Sequence, residues 1–146
     1  MTLNSCKKNT KLIDVNPKDI SCIEKFLGNC NKSLKTFRYF SSRDISESLK
    51  NHKSTVILTY EDEPIGYAHL DRDSECLWLG VCVADNYVGR GFGGLLIKEI
   101  LLRNKPEEKI TLTVDRDNNS AINLYRKHGF VPIETTEKII KMELAK

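Results

Sequence analysis

The chain has 146 residues, 40% of them hydrophobic and 29% charged, with eight glycines and four prolines. This length and balance fit one domain spanning 1–146 with its own core, and they argue against a disordered, collagen-like or repetitive chain. Its 23 basic and 20 acidic residues leave a net charge of +3, too little to imply the field of a nucleic-acid or anionic-membrane binder.

In chain order, residues 11–15 predict a short first strand, after which Asn16 and Pro17 predict a helix cap and first helical position. Ile20, Ile23, Phe26 and Leu27 then form a helical stripe. Periodicity breaks over residues 28–40, a polar loop carrying Phe37, Arg38, Tyr39 and Phe40, the kind of segment that carries function. A second short helix is predicted over 42–51, capped by serine and marked by Ile45 and Leu49. Three antiparallel strands follow over 55–60, 64–71 and 76–83, with turns at 61–63 and 72–74. Both faces of the third are mostly apolar, so it belongs in the middle of the sheet.

A helix over 91–103 with Phe92, Leu95, Leu96, Ile100 and Leu101 inward is followed by an alternating strand over 109–115. A helix over 118–128 stops at Gly129, and strands over 130–135 and 137–144 end the pattern. The fold class is α+β: a mixed, mostly antiparallel central sheet with helices on both faces and one parallel crossover, from 77–83 to 109–115.

The five cysteines, Cys6, Cys22, Cys30, Cys76 and Cys82, are odd in number and contain no C-x-x-C pair. The spacing therefore suggests neither a metal site nor a disulfide framework. A reducing, cytoplasmic location is expected. Residues 1–13 lack the apolar run of a leader, and the longest apolar run, 76–84, is far short of the roughly 20 residues of a membrane span.

The most informative stretch is the glycine-rich turn Gly89-Arg90-Gly91-Phe92-Gly93-Gly94 between a strand and a helix. Unpaired main-chain N–H groups and the positive end of the helix dipole make such a turn an anion site, and glycines let a ligand approach without meeting Cβ atoms. Read literally, it satisfies G-x-G-x-x-G, with Asp115 near the ribose position of a dinucleotide fold. Against an oxidoreductase stand five residues between strand and first glycine, and room for only one parallel crossover.

The strand ending Val81-Cys82-Val83, the turn 88–94, and the later segment N-x-x-A-x-x-x-Y-x-x-x-G-F, met by Asn118, Ala121, Tyr125, Gly129 and Phe130, together resemble the GNAT superfamily of N-acetyltransferases. Val88 departs from the Gln or Arg that opens the family's turn, whereas Gly91 and Gly93 match its small positions. The resemblance implies acetyl-CoA as acyl donor and a small-molecule amine as acceptor. It assigns Gly89 to Gly94, with Arg90 and Phe92 among them, to the diphosphate. Val81, Cys82 and Val83 fall to the pantetheine arm as an added strand, Asn118 to its amides, and Tyr125 to the leaving thiolate as general acid. The amide near Val81 would face the thioester oxygen.

Alternatives stay open for several of these. Tyr125 also reads as core, Asn118 as a helix cap, and Phe37 and Phe40 as anchors of their loop. For the acceptor's proton His69 is the preferred base, because an unperturbed imidazole titrates near neutrality. A structural histidine is the competing reading, and Asp71, Glu75 and His52 are further candidates. Arg38, Tyr39 and Trp78 offer a cation and aromatic faces suited to an amino sugar or nucleotide-linked amino sugar. TFRYFSSR, YAHLD and WLGVCVAD also resemble a branch linked to surface-polysaccharide sugars. A binding module without turnover and a homodimeric assembly remain open.

Overall fold

The alternating apolar residues of the chain's middle build β2 (His52–Tyr60), β3 (Glu63–Arg72) and β4 (Leu77–Val83), paired antiparallel in sequence. The computed structural model describes residues 9–104 and 108–145. Cys6 and the first eight residues of the expected leaderless segment lie outside them. β1 (Thr10–Asp14) lines the outer side of β2, while β5 (Ile110–Asp115) joins β4 in parallel. β7 (Ile139–Leu144) and β6 (Phe130–Thr135) complete a seven-stranded sheet of order β1-β2-β3-β4-β5-β7-β6, with β4 at its centre. The expected fold class holds. A single parallel pair among the described residues also removes the dinucleotide-binding reading, whose sheet needs several.

Alternate strand residues face opposite layers, and helices cover both. α1 (Ser21–Gly28) buries Ile23 and Phe26 against Ile57, Tyr67 and Cys82 on one face, with Phe26 stacked 6.1 Å from Tyr67. α3 (Phe92–Leu102) buries Leu96 and Ile100 against Val56, Leu58, Ala68 and Leu70 on the other. Each fully buried side chain of this kind contributes about 1.5–3 kcal/mol. α2 (Ile45–Leu49) closes the first layer through Leu49, and α4 (Asn119–Lys127) packs through Ile122 into the second.

Local chemistry moves several boundaries. Asn16 does not cap α1: its Oδ1 accepts from Lys18 N at 2.9 Å in a turn of its own, and the helix starts only at Ser21, whose N–H and hydroxyl both reach Asp19. An Asx side chain that closes on the main chain two residues on competes with the helix. α2 is capped by Asp44, which accepts from Glu47 N, not by a serine, and β2 begins at His52 because its main chain already pairs with Asp71 there. Ile97 is fully buried on α3, whereas Leu95 and Leu101 only flank the core. Thr111 is fully buried with no partner for Oγ1 among the described residues.

Candidate active site

The parallel pairing of β4 and β5 is confined to Leu77 with Ile110 and Trp78 with Thr111. Beyond it the two strands part. Leu77 N donates to Lys109 O at 2.9 Å, whereas Ala84 N donates to Ile65 O at 2.8 Å on the β3 side. By the two-residue period of a strand, the N–H and C=O of Val81 face the gap left by β5. The gap opens into a cleft of about 1110 Å³ lined by Val81, Cys82 and Val83. Val83 already spends its carbonyl, which accepts from Ser33 Oγ at 2.6 Å.

The glycines of the turn divide into two jobs. Gly89 (φ 82°) and Gly91 (φ 88°) adopt the left-handed backbone that side chains disfavour, and Gly91 starts α3 with no side-chain cap. A Cβ at Gly89 would meet nothing within 4 Å, so ligand atoms have open access to this main chain. Gly93 and Gly94 instead let α3 pack on α4: a Cβ there would come 3.0 Å from Leu124 Cδ2 and 3.4 Å from His128 Cε1. The first-turn amides of α3 thus keep their donors and dipole for an anion. All four glycines border the cleft.

Two of the expected diphosphate residues do not offer their side chains. The Arg90 guanidinium lies 5.3 Å over the Tyr87 ring, and Phe92, 1% exposed, packs edge-on against Tyr60 and Tyr87. Neither side chain borders the cleft. The apolar face of α3 claims Phe92, so what this position offers a ligand is its amide.

Asn118 and Tyr125 enter from α4. Asn118 lines the cleft and is the N-cap of the helix, its Oδ1 accepting from Ala121 N at 3.3 Å, a bond that does not use its amide nitrogen. Tyr125 lines the same cleft while its ring packs edge-on to Phe130. Burial, with a smaller contribution from Cys82, pushes its phenol up to about 12, so it stays protonated at neutral pH. Cys82 is held above the ordinary thiol range by the neighbouring Cys30 thiol and by burial.

At the other end of the cleft the expected acceptor residues are already engaged. Arg38 is bound in fork geometry to Asp115, at 2.8 and 3.1 Å, so the cation proposed for the acceptor is neutralised; Asp115, the ribose candidate of the dinucleotide reading, is its partner. Tyr39 Oη donates to Asp71 at 2.6 Å, and His52 Nε2 lies 2.8 Å from the same oxygen with its Nδ1 2.8 Å from Thr55 Oγ1. Trp78 Nε1 donates to Asp73 at 2.5 Å, and Lys141 lies 5.4 Å from the indole centroid.

His69 borders the cleft, yet it is only 2% exposed, with Nδ1 2.7 Å from Tyr67 Oη and its ring 4.2 Å from that of Tyr39. Burial, then the His52 and Arg43 charges, drive its pKa well below that of a free imidazole. The premise of an unperturbed imidazole is therefore corrected: the ring is neutral at pH 7 and a weak base.

Three site residues were missed by the motif reading. Asp85 accepts from the amides of Asn31, Lys32 and Ser33 at 3.1, 2.7 and 2.9 Å, which depresses its pKa and pins the α1–α2 loop to the turn after β4. Ser33 is thereby held on Val83. Arg43 lines the cleft with its guanidinium 4.4 Å over Tyr39. No local pattern announces the Asp85 and Ser33 contacts, which join residues about fifty positions apart.

An open strand edge, an uncapped helix start and glycine-lined access meet in one cleft, and this fits an acyl thioester on a diphosphate-bearing arm. The profile of the Acetyltransferase (GNAT) family matches residues 22–130, and the chain belongs to that family of acyl-CoA-dependent N-acetyltransferases. An acetyltransferase of the GNAT family from Streptococcus pneumoniae is 22% identical, covering 92% of this chain and 98% of that one, with a TM-score of 0.70. A GNAT acetyltransferase from Elizabethkingia anophelis with acetyl-CoA bound is 18% identical over 94% and 99%, TM-score 0.72. The GNAT domain of S. lividans PAT is 16% identical over 92% and 89%, TM-score 0.77. At such identities the likeness is one of fold. No curated protein matches significantly.

Proposed function

We propose that this chain transfers an acetyl group from acetyl-CoA to the primary amine of a small acceptor, by direct attack within a ternary complex. The observation that carries this reading is the free β4 edge at Val81 facing the uncapped start of α3 across one cleft. When bound, the thioester supplies an acetyl carbonyl activated toward a nitrogen nucleophile. The main chain of residues 89–94 holds the diphosphate, and Val81 to Val83 align the pantetheine arm as an added strand. The Asn118 amide nitrogen, left over from capping, serves an arm carbonyl. Val81 N–H stabilises negative charge on the acyl oxygen.

Proton movement is divided between two neutral groups. Tyr125, kept protonated by burial, donates to the departing thiolate. His69 takes the proton of the attacking nitrogen, which becomes a far stronger acid than the free ammonium once it has begun to bond to carbon. This requires the tautomer in which Nδ1–H donates to Tyr67 and leaves the Nε2 lone pair beside Gly80. The amine must arrive uncharged. Cys82 stays a thiol and carries no acyl group.

For the acceptor, the aromatic walls of Tyr39 and Trp78 support an amino sugar or nucleotide-linked amino sugar, whose ring stacks on such faces. The test is release of free CoA thiol from acetyl-CoA across a panel of amino sugars, their nucleotides, amino acids and polyamines. Release that depends on one amine supports the proposal; saturable acetyl-CoA binding with no release for any amine would leave a binding module. Protection against heating by acetyl-CoA and not by NAD(P) is the matching check on the donor.

A further inference from the structure

We infer that the acceptor amine also carries an anionic group, and that Arg43 is the residue that reads it. This deepens the acetyltransfer reading and rests on it. The charged groups around the acceptor end sort by whether they are already engaged. Arg38 and Asp115 hold each other. The Asp73 carboxylate takes Trp78 Nε1 and the amides of Glu75 and Cys76, and Asp85 takes three loop amides. Asp71 accepts from Tyr39.

Arg43 differs from all of these. Among the described residues it makes no ion pair, although it lines the cleft. Its guanidinium lies 4.4 Å over the Tyr39 ring, a cation–π contact that holds the cation in place without using its N–H groups. A guanidinium takes a carboxylate or phosphate through two parallel hydrogen bonds. Tyr39 in turn lies 4.2 Å from the His69 ring, beside which the nitrogen is to react. An anion on Arg43 is therefore one aromatic ring away from the reacting amine. A ligand of that shape is a small amine with a carboxylate or phosphate a few bonds from its nitrogen, and a polycation meets repulsion at the same place.

The test uses matched acceptors that differ only in the anion: glucosamine against glucosamine phosphate, and an amino acid against its amide, at saturating acetyl-CoA. The anionic member should win in kcat/KM by about tenfold or more, the two pairs separating phosphate from carboxylate. Arg43→Gln should bring that ratio close to one by raising KM for the anionic member, and Arg43→Lys should restore part of it. Equal kcat/KM within both pairs in the wild type, or a ratio unchanged by Arg43→Gln, overturns the inference. If no amine is acetylated, the acetyltransfer reading fails, and binding then decides this one: Trp78, the single tryptophan, lines the cleft and reports Kd by fluorescence with CoA present. Tighter binding of the anionic member, abolished by Arg43→Gln, upholds it; equal Kd values refute it.

Discussion

The imidazole of His69 lies directly over the α-carbon of Gly80, its cross-strand partner: a Cβ at position 80 would come 2.5 Å from Cε1 and 2.6 Å from Nε2. The absence of a side chain on β4 is what lets a histidine lie flat at the wall of the cleft. Gly80→Ala should therefore destabilise the fold by about 1–3 kcal/mol through overpacking and lower kcat by displacing the ring. In a His69→Ala background the same change should cost almost nothing. Thermal melts and turnover of the four proteins decide this; an equal penalty in both backgrounds would show that the ring is not the obstacle.

Tyr125→Phe should lower kcat by roughly 10²–10⁴, the usual contribution of a placed proton donor, with little change in the KM for acetyl-CoA. The melting temperature should hardly move, because the ring keeps its packing on Phe130. Unaltered kcat would reject the assignment.

The histidines make stability fall on the acid side. His52 is driven down to about 4 by burial, and His69 well below its ordinary value for the same reason. Below about pH 6.5 the unfolded chain binds protons that the folded chain refuses, so stability declines as pH falls, for His52 until about pH 4. Urea midpoints at pH 7.5 and 5 should show the decline, and His52→Gln should reduce it. A flat profile would contradict the burial of both rings.

Asp85→Ala should release the α1–α2 loop from the cleft, raising the KM for acetyl-CoA and lowering the melting temperature, while Asp85→Asn, which keeps one acceptor oxygen, should do less of both. The carboxylate's contribution is present above the ordinary carboxylate range and is lost as pH falls through its depressed folded value. Steady-state kinetics with melts from pH 7 to 3 test it; an alanine variant indistinguishable from wild type would remove the clamp.

Glu61 and Asp62 turn the β2–β3 hairpin with φ of 49° and 67°, left-handed at both positions. Such a two-residue turn prefers Asn-Gly. Replacing the pair by Asn-Gly should raise stability by about 1 kcal/mol, seen as a higher denaturation midpoint with unchanged activity.

How far the sequence speaks depends on the range of the interactions. The glycine turn, the Asn118 cap and the Gly129 stop are written in neighbouring residues, so these local features were legible. Burial of Phe92 was legible too, because it falls on the apolar stripe of its helix, which leaves only the main chain of that position for a ligand. The acceptor end depends on Arg38 meeting Asp115 and on Asp85 meeting residues 31–33. Chain periodicity carries no trace of such pairings. Arg43, at the start of the helix predicted over 42–51, acquires meaning only when Tyr39 is placed beneath it.

Because just two residue pairs join β4 to β5, the sheet is two panels seamed at one edge, one holding β1 to β4 and the other β5, β7 and β6. Their separation at the wide end is set by α3 and α4, which touch where Gly93 admits Leu124. Any extended molecule that hydrogen-bonds along Val81 and reaches Asn118 therefore staples the panels together. Amide protons on both sides of the seam should slow their exchange in concert as the staple goes in, making the donor a structural member of the enzyme for as long as it stays.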